Sequence, residues 1–380
     1  MKVARRSDIS PFLVMEVMRA ANERKAAGGD VVHLEVGQPS TGAPKAVVEA
    51  AKAALTRERL GYTDALGLPE LRAAVARHYK DYYEVDVAAE QVVVTVGSSG
   101  AFVLAFLSCF DPGDRVAVAE PGFPCYRNIL SALGATPVPL PVEAASRFQP
   151  SVALLEALAE PLDGLIVASP SNPTGTMLPP GELAALVRYC TDRGIRFISD
   201  EIYHGITYGG RATTALALGD GMVVVNSFSK YFSMTGWRLG WMVVPGELIG
   251  PVERLAQNLY ISPPTLAQHA AIVAFDCREE LDVNVARYAR NRALLLEELP
   301  KAGFESLAPA DGAFYLYADV AHLTNDSNAF CRRMLAHLGV ATTPGVDFDP
   351  RRGQAFVRFS FAGTTEDMAE AARRLRRWLR

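Results

Sequence analysis

The residues predict an α/β protein with two parts. One is a large domain whose mostly parallel sheet is covered by helices on both faces. The other is a smaller α/β domain built from the C-terminal part and the N-terminal segment. Three observations lead there. The 380 residues exceed one simple core, and the length prior is about two domains. From residue 90 onward, short β-branched runs alternate with longer helical patterns. Those runs are continuously apolar, as strands are when helices cover both faces of a parallel sheet. After residue 300 the character changes: Ala313–Ala318 and Ala355–Ser360 alternate like strands with one wet face. The expected boundaries are 1–45 for the N-terminal arm and its share of the small domain, 46–285 for the large domain and 286–380 for the small one.

Taken in order, Gln91–Val96 is the first buried strand, followed by a Gly/Ser turn and an apolar helix from Ala101. Arg115–Ala119, Gly164–Ala168, Arg196–Ser199 and Met222–Asn226 repeat the strand theme, with helical patterns such as Gly181–Cys190 between them. Ala101–Phe110 covers about half a membrane span and ends at Asp111-Pro112-Gly113, so it reads as a buried helix. Beyond Pro263-Pro264 a helical stretch runs from Leu266 to Leu299, with a break expected near Cys277. Further helices are expected near Asn328–Leu338 and Thr365–Arg380. The basic run Arg373–Arg380 places Leu375, Trp378 and Leu379 at helical spacing, so its charges form the solvated face of a terminal helix.

Composition narrows the function. The chain is 49% apolar and 21% charged, as soluble globular proteins are, and its net charge of −4 gives no general attraction to nucleic acid or to an anionic membrane. Five scattered cysteines without a Cys-x-x-Cys pair support neither a zinc site nor a disulfide framework and fit a cytoplasmic location. The N-terminus lacks the apolar core of a signal peptide. The six histidines show no metal-binding spacing, so no metal is expected.

Four motifs carry chemistry. Ser227-Phe228-Ser229-Lys230 sets a lysine among small residues, as a Schiff-base lysine requires, and Arg238 follows eight positions later, able to hold an anionic group. Gly97-Ser98-Ser99-Gly100 lies between a strand and a helix, where free amides can cradle a phosphate or simply cap the helix. Ser169-Pro170-Ser171-Asn172-Pro173-Thr174-Gly175 is a turn by composition and offers the Asn172 amide as a donor. Asp200 ends an apolar strand, where a carboxylate is costly unless paired or capping, and Tyr203 follows it by three.

In this order, the four motifs resemble the fold type I, class I and II pyridoxal-phosphate aminotransferases along nearly the full chain. The resemblance implies that Lys230 anchors pyridoxal 5'-phosphate as a Schiff base and moves the substrate proton. It makes Asp200 the partner of the pyridine nitrogen, and gives Asn172 and Tyr203 the ring oxygen. The phosphate would be held by Gly97, Ser98, Ser99, Ser227 and Arg238, and by Tyr62 reaching over from the other subunit of a homodimer with shared sites. Phe123 would stack on the ring. Gly37 would lie beside the substrate through its backbone, and Arg358 would fork onto the α-carboxylate, a task suited to guanidinium.

Substrates are then an L-amino acid and a 2-oxo acid. The cradle Ser98-Ser99-Gly100-Ala101 lacks the extra polar side chains usual in related aspartate aminotransferases, and Phe12, Phe123 and Tyr315 can make an apolar pocket. A neutral or aromatic donor is therefore favoured, with aspartate possible. The alternative on the same fold is a carbon–sulfur β-lyase using the same Lys230, Asp200 and Arg358. A ligand-binding regulator is the remote alternative, since the segment ahead of Glu35-Val36-Gly37 has no room for a winged helix.

Overall fold

The structure is a computed structural model and describes residues 1–379. Its centre is a seven-stranded sheet with the spatial order Val92–Thr95, Gly240–Val243, Val223–Ser227, Arg196–Asp200, Gly164–Ala168, Arg115–Glu120, Thr136–Pro141. All neighbours run parallel except Gly240–Val243, which is antiparallel to both strands beside it. That strand returns from Ser227 through a loop, without the crossover helix that parallel pairing needs. The reversal keeps Lys230 and Arg238 at the carboxyl ends of the parallel strands.

Helices on both faces explain the uninterrupted apolar runs. Val92, Val94, Leu165, Val167, Phe197 and Val224 point to one core, closed by helices Lys45–Arg57, Pro69–Tyr83 and Pro180–Arg193. Their neighbours Val93, Ile166, Ile198, Val223 and Val225 point to the other, closed by Gly97–Cys109, Pro124–Leu133 and Gly246–Leu259. Successive side chains of a strand face opposite ways, so burial on both faces demands an apolar residue at every position.

The edge strand Thr136–Pro141 and the antiparallel strand Gly240–Val243 are additions to the sequence expectation. The first carries prolines at 137, 139 and 141 and pairs on one side only, with Arg115–Glu120. An edge tolerates proline because one side of the strand needs no amide donors.

A second core gathers Val32 and Leu34 from the N-terminal segment with Tyr288, Leu295, Phe304, Phe330, Phe359 and Leu375. Val32–His33 pairs in parallel with Val340–Ala341. A four-stranded antiparallel sheet runs Thr343–Pro344, Phe356–Ser360, Tyr315–Asp319, Ser306–Leu307. The expected wet face of its two central strands is not found. Leu316, Val357 and Phe359 enter the second core, while Tyr317, Arg358 and Ser360 on the alternate positions are also buried. Polar residues alternate there because that face meets the cavity and further packed side chains such as Phe148 and Phe348 instead of water.

The long helical stretch divides as expected: Thr265–Ala271, a 3-10 turn Ile272–Asp276, then Arg278–Lys301. Helices Ser327–Leu338 and Thr365–Trp378 lie where the periodicity placed them. Among the described residues, no helix is long and apolar enough to cross a membrane.

Candidate active site

A cavity of about 550 Å³ opens at the carboxyl ends of the central strands, where the residues around the second core meet the large sheet. Each motif reaches it from the end of a strand, where backbone direction leaves side chains beyond the sheet.

Asp200, the last residue of its strand, is 4% exposed. Its Oδ1 accepts the Ile202 amide at 3.1 Å, and its Oδ2 accepts the Tyr126 hydroxyl. Burial pushes this carboxyl up to about 6, against the Tyr126 and Ile202 hydrogen bonds and the Lys230 charge, which all favour ionisation. A buried carboxylate held this way invites a cationic N–H from within the cavity.

Lys230 follows the strand Val223–Ser227, and its Nζ donates to the Gly37 carbonyl at 2.6 Å. Desolvation lowers the amine to about 8, helped by the positive charges of Arg358 and Arg238 and opposed by Asp200. That is the tuning a nucleophilic amine or proton carrier needs near neutral pH. Gly37 is required by packing: a Cβ there would sit 1.8 Å from the Tyr315 hydroxyl oxygen. Tyr315 in turn shares a 2.7 Å hydrogen bond with the hydroxyl of Tyr203.

The helix Gly97–Cys109 opens on the cavity with no side-chain cap and no acidic residue in its first turn. Its leading amides remain available to an anion. Gly97 has φ +67°, and a Cβ on it would lie 2.6 Å from Arg238 Nη2. Arg238, itself left-handed with φ 52°, is braced by Nη1 donating to the Thr235 carbonyl at 3.0 Å. Ser98, Ser99 and Arg238 line the cavity together. Ser227 stands behind that wall, its Oγ donating to Leu239 O at 3.1 Å and accepting the Ser229 amide at 3.1 Å. Ser229 is the serine of this motif that faces the cavity.

Arg358 is 1% exposed, yet no carboxylate among the described residues lies within ion-pair distance of it. Its Nη1 donates to Asn172 Oδ1 at 2.8 Å, its Nη2 to the Glu35 carbonyl and Thr343 Oγ1, and its plane covers the Tyr315 ring at 4.3 Å. Its Nε has no partner. A buried, unpaired guanidinium is a strong demand for an anionic ligand. Because Asn172 Oδ1 is engaged by Arg358, the Nδ2 hydrogens of Asn172 remain for a ligand.

Phe123 lines the cavity and meets Phe12 edge-on at 5.8 Å. Tyr315 is on the same wall. Tyr62 is 82% exposed, beside Leu60 and Pro263 and outside the cavity of its own chain. Sequence reasoning missed Tyr126 and the N-terminal helix Leu13–Ala26, which brings Val14, Met15 and Met18 to the cavity. Tyr126 had a readable signal: it stands in the first turn of the helix that Phe123 precedes, and the two rings meet at 5.3 Å. The helix had none, since only Val14 and Ala21 of its residues are buried.

The profile of the family "Aminotransferase class I and II" matches residues 29–375. The valine–pyruvate aminotransferase of Mycobacterium tuberculosis is 53% identical over 382 aligned residues, spanning 100% of this chain and 98% of that protein. The aspartate aminotransferase of Thermotoga maritima is 34% identical, spanning 99% of each. Among solved structures, an aminotransferase from Mycobacterium tuberculosis superposes with a TM-score of 0.98 at 53% identity, covering 100% of this chain and 99% of that one. Thermus thermophilus aspartate aminotransferase with maleate gives 0.92 at 32% identity, covering 99% of each. Matched by the family profile over most of its length and by these relatives over all of it, the chain belongs to the class I and II aminotransferases, pyridoxal-phosphate enzymes that pass an amino group from an amino acid to a 2-oxo acid.

Proposed function

We propose that this enzyme uses a neutral, apolar L-amino acid of about the size of valine as donor and pyruvate as an acceptor, with Lys230 as the covalent anchor of pyridoxal phosphate. The observation that carries the substrate reading is the charge of the cavity. Its lining has three cations, Lys230, Arg238 and Arg358, and each already has a task. Arg358 suits the α-carboxylate and Arg238 the phosphate, so no cation among the lining residues is left for a side-chain carboxylate. The wall beyond them is Phe12, Val14, Met15 and Met18, and apolar surface selects apolar side chains. The relative named for valine and pyruvate is also the more similar of the two sequences compared above.

The residues fit the cofactor. An ionised Asp200 would hold the ring nitrogen, the hydroxyl of Tyr203 and the Nδ2 of Asn172 would donate to the ring oxygen, and Phe123 would cover one face. The amides from Gly97, Ser98 and Ser99, with Ser229, which replaces Ser227 on the cavity wall, and Arg238, would hold the phosphate, and Tyr62 of a partner subunit would complete it in a homodimer. When bound, the cofactor supplies the electron sink for the α-carbon. Arg358 would fix the substrate carboxylate, and the Lys230 amine would take and return the α-proton. A cytoplasmic location goes with this reading.

A half-reaction screen tests it. The holoenzyme is mixed with single amino acids, without acceptor, and loss of the cofactor's visible absorbance is timed. Valine and similar donors should convert it fastest. Faster conversion by aspartate would overturn the substrate reading, and pyruvate and ammonia released from cystathionine without an acceptor would favour the β-lyase.

A further inference from the structure

The wall that meets the substrate's side chain is carried by a helix with little grip of its own. Leu13–Ala26 buries only Val14 and Ala21, and isolated helices of this length are marginal without packing. Its far end is tied by Arg24, whose Nη1 donates to the Ala336 carbonyl at 3.1 Å. Its near end, toward the cavity, has no side-chain cap from Phe12. The cap comes from elsewhere in the chain. Asp347, 2% exposed, accepts the Leu13 amide on Oδ1 at 3.1 Å and the Val14 amide on Oδ2 at 3.2 Å.

The turn that carries Asp347 is joined to the rest of the site. The Asp347 carbonyl accepts Arg127 Nη2 at 2.6 Å and the Phe348 carbonyl accepts Nη1 at 3.4 Å. Arg127 belongs to the helix Pro124–Leu133, which follows Phe123 and carries Tyr126. The Phe348 ring lies 4.8 Å from the Arg358 guanidinium. One short turn therefore references the N-terminal helix to the residues proposed for the ring and the α-carboxylate. Among the described residues, no cation forms an ion pair with the Asp347 carboxylate, so its two oxygens serve the helix.

We propose that Asp347 is a positioning residue for donor selection: by capping Leu13–Ala26 it sets Val14, Met15 and Met18 against the substrate's side chain, although it does not itself line the cavity. This rests on the apolar-donor reading above. The single methyl of alanine can bury less area against this wall than the branched side chain of valine, so alanine use should respond less to the cap.

The test compares half-reaction kcat/KM for valine and alanine in the holoenzyme and in Asp347→Ala, Asp347→Asn and Leu13→Pro. Proline is tolerated at the first helical position, so Leu13→Pro deletes one amide donor while sparing the helix. The valine-to-alanine ratio should fall by about tenfold or more in Asp347→Ala, which loses both charge-assisted bonds to the helix, and by less in the other two variants. Amide hydrogen exchange over residues 13–18 should accelerate, with the cofactor's visible spectrum and its pH titration unchanged. A parallel fall for both donors, or an unchanged ratio despite faster exchange, overturns the proposal. If Asp347→Ala does not fold, the ratio in Leu13→Pro decides. A wild-type enzyme with no preference for valine over alanine would instead overturn the donor reading, before any variant is compared.

Discussion

Tyr126→Phe removes one hydroxyl and leaves the ring that packs against Phe102 and Phe123. That hydroxyl is the side-chain donor to Asp200, whose remaining direct bond is to the Ile202 amide. A hydrogen bond to a buried charged group is worth about 1.5–3 kcal/mol, and about 1.4 kcal/mol is one pH unit. Burial already holds the Asp200 carboxyl at about 6, with the Tyr126 bond pulling it down. Without that bond it should rise by roughly one to two units. The ionised carboxylate is the form that pairs with a protonated ring nitrogen, so cofactor affinity is lost as pH falls through the Asp200 pKa. The assay is the dissociation constant of pyridoxal phosphate for the apoenzyme between pH 5 and 9. The acid limb of that profile should lie near pH 6 in the wild type and move upward in Tyr126→Phe. At pH 7 the variant should bind about two- to tenfold more weakly, as the ionised fraction of Asp200 falls. An acid limb that stays in place would refute Tyr126 as the residue tuning Asp200.

Further outcomes follow from the same geometry. Arg358→Lys keeps the charge but loses the fork, and should lower donor kcat/KM by about a hundredfold, mostly through KM; an unchanged KM would contradict the carboxylate role. Gly37→Ala drives a Cβ to 1.8 Å from the Tyr315 hydroxyl oxygen, and overpacking of this kind costs about 1–3 kcal/mol. Removing that oxygen in Gly37→Ala/Tyr315→Phe should recover part of the melting temperature, and no recovery would show the strain lies elsewhere. Burial lifts the Glu201 carboxyl to about 8, despite hydrogen bonds from Ala215, Thr214 and Ser199 that favour ionisation. Its folded pKa exceeds the ordinary 4.5, so the folded state binds more protons and this group's contribution to stability falls as pH rises from about 4.5 to about 8. Glu201→Gln should flatten the decline in melting temperature over that range; an identical decline would assign it to other groups.

Much of the architecture was legible because burial on both faces writes itself as uninterrupted apolar strands. Val92–Thr95, Gly164–Ala168 and Val223–Ser227 follow this rule. Thr136–Pro141 escaped because its prolines deny it a central place, and edge placement is a tertiary fact. The alternation of Tyr315–Asp319 and Phe356–Ser360 was visible, but its meaning was not. A polar residue facing water and one facing a buried site look the same in sequence, and Arg358 is the latter. The meeting of Lys230, Asp200, Asn172 and Arg238 in one cavity was readable because each stands in a motif at a strand end. Ser227 and Ser229 were distinguishable only once the loop's direction was known. The apolar wall of the cavity stayed hidden, since the helix Leu13–Ala26 is held by a partner more than three hundred residues away, at Asp347.

The central claim is that Lys230 carries the cofactor. Borohydride reduction of the holoenzyme, followed by proteolysis and mass spectrometry, should find the pyridoxyl group on the peptide containing Lys230. The Lys230→Ala protein should take up no label and show no turnover. Label on another lysine of the wild-type protein, or turnover by Lys230→Ala, would contradict the account.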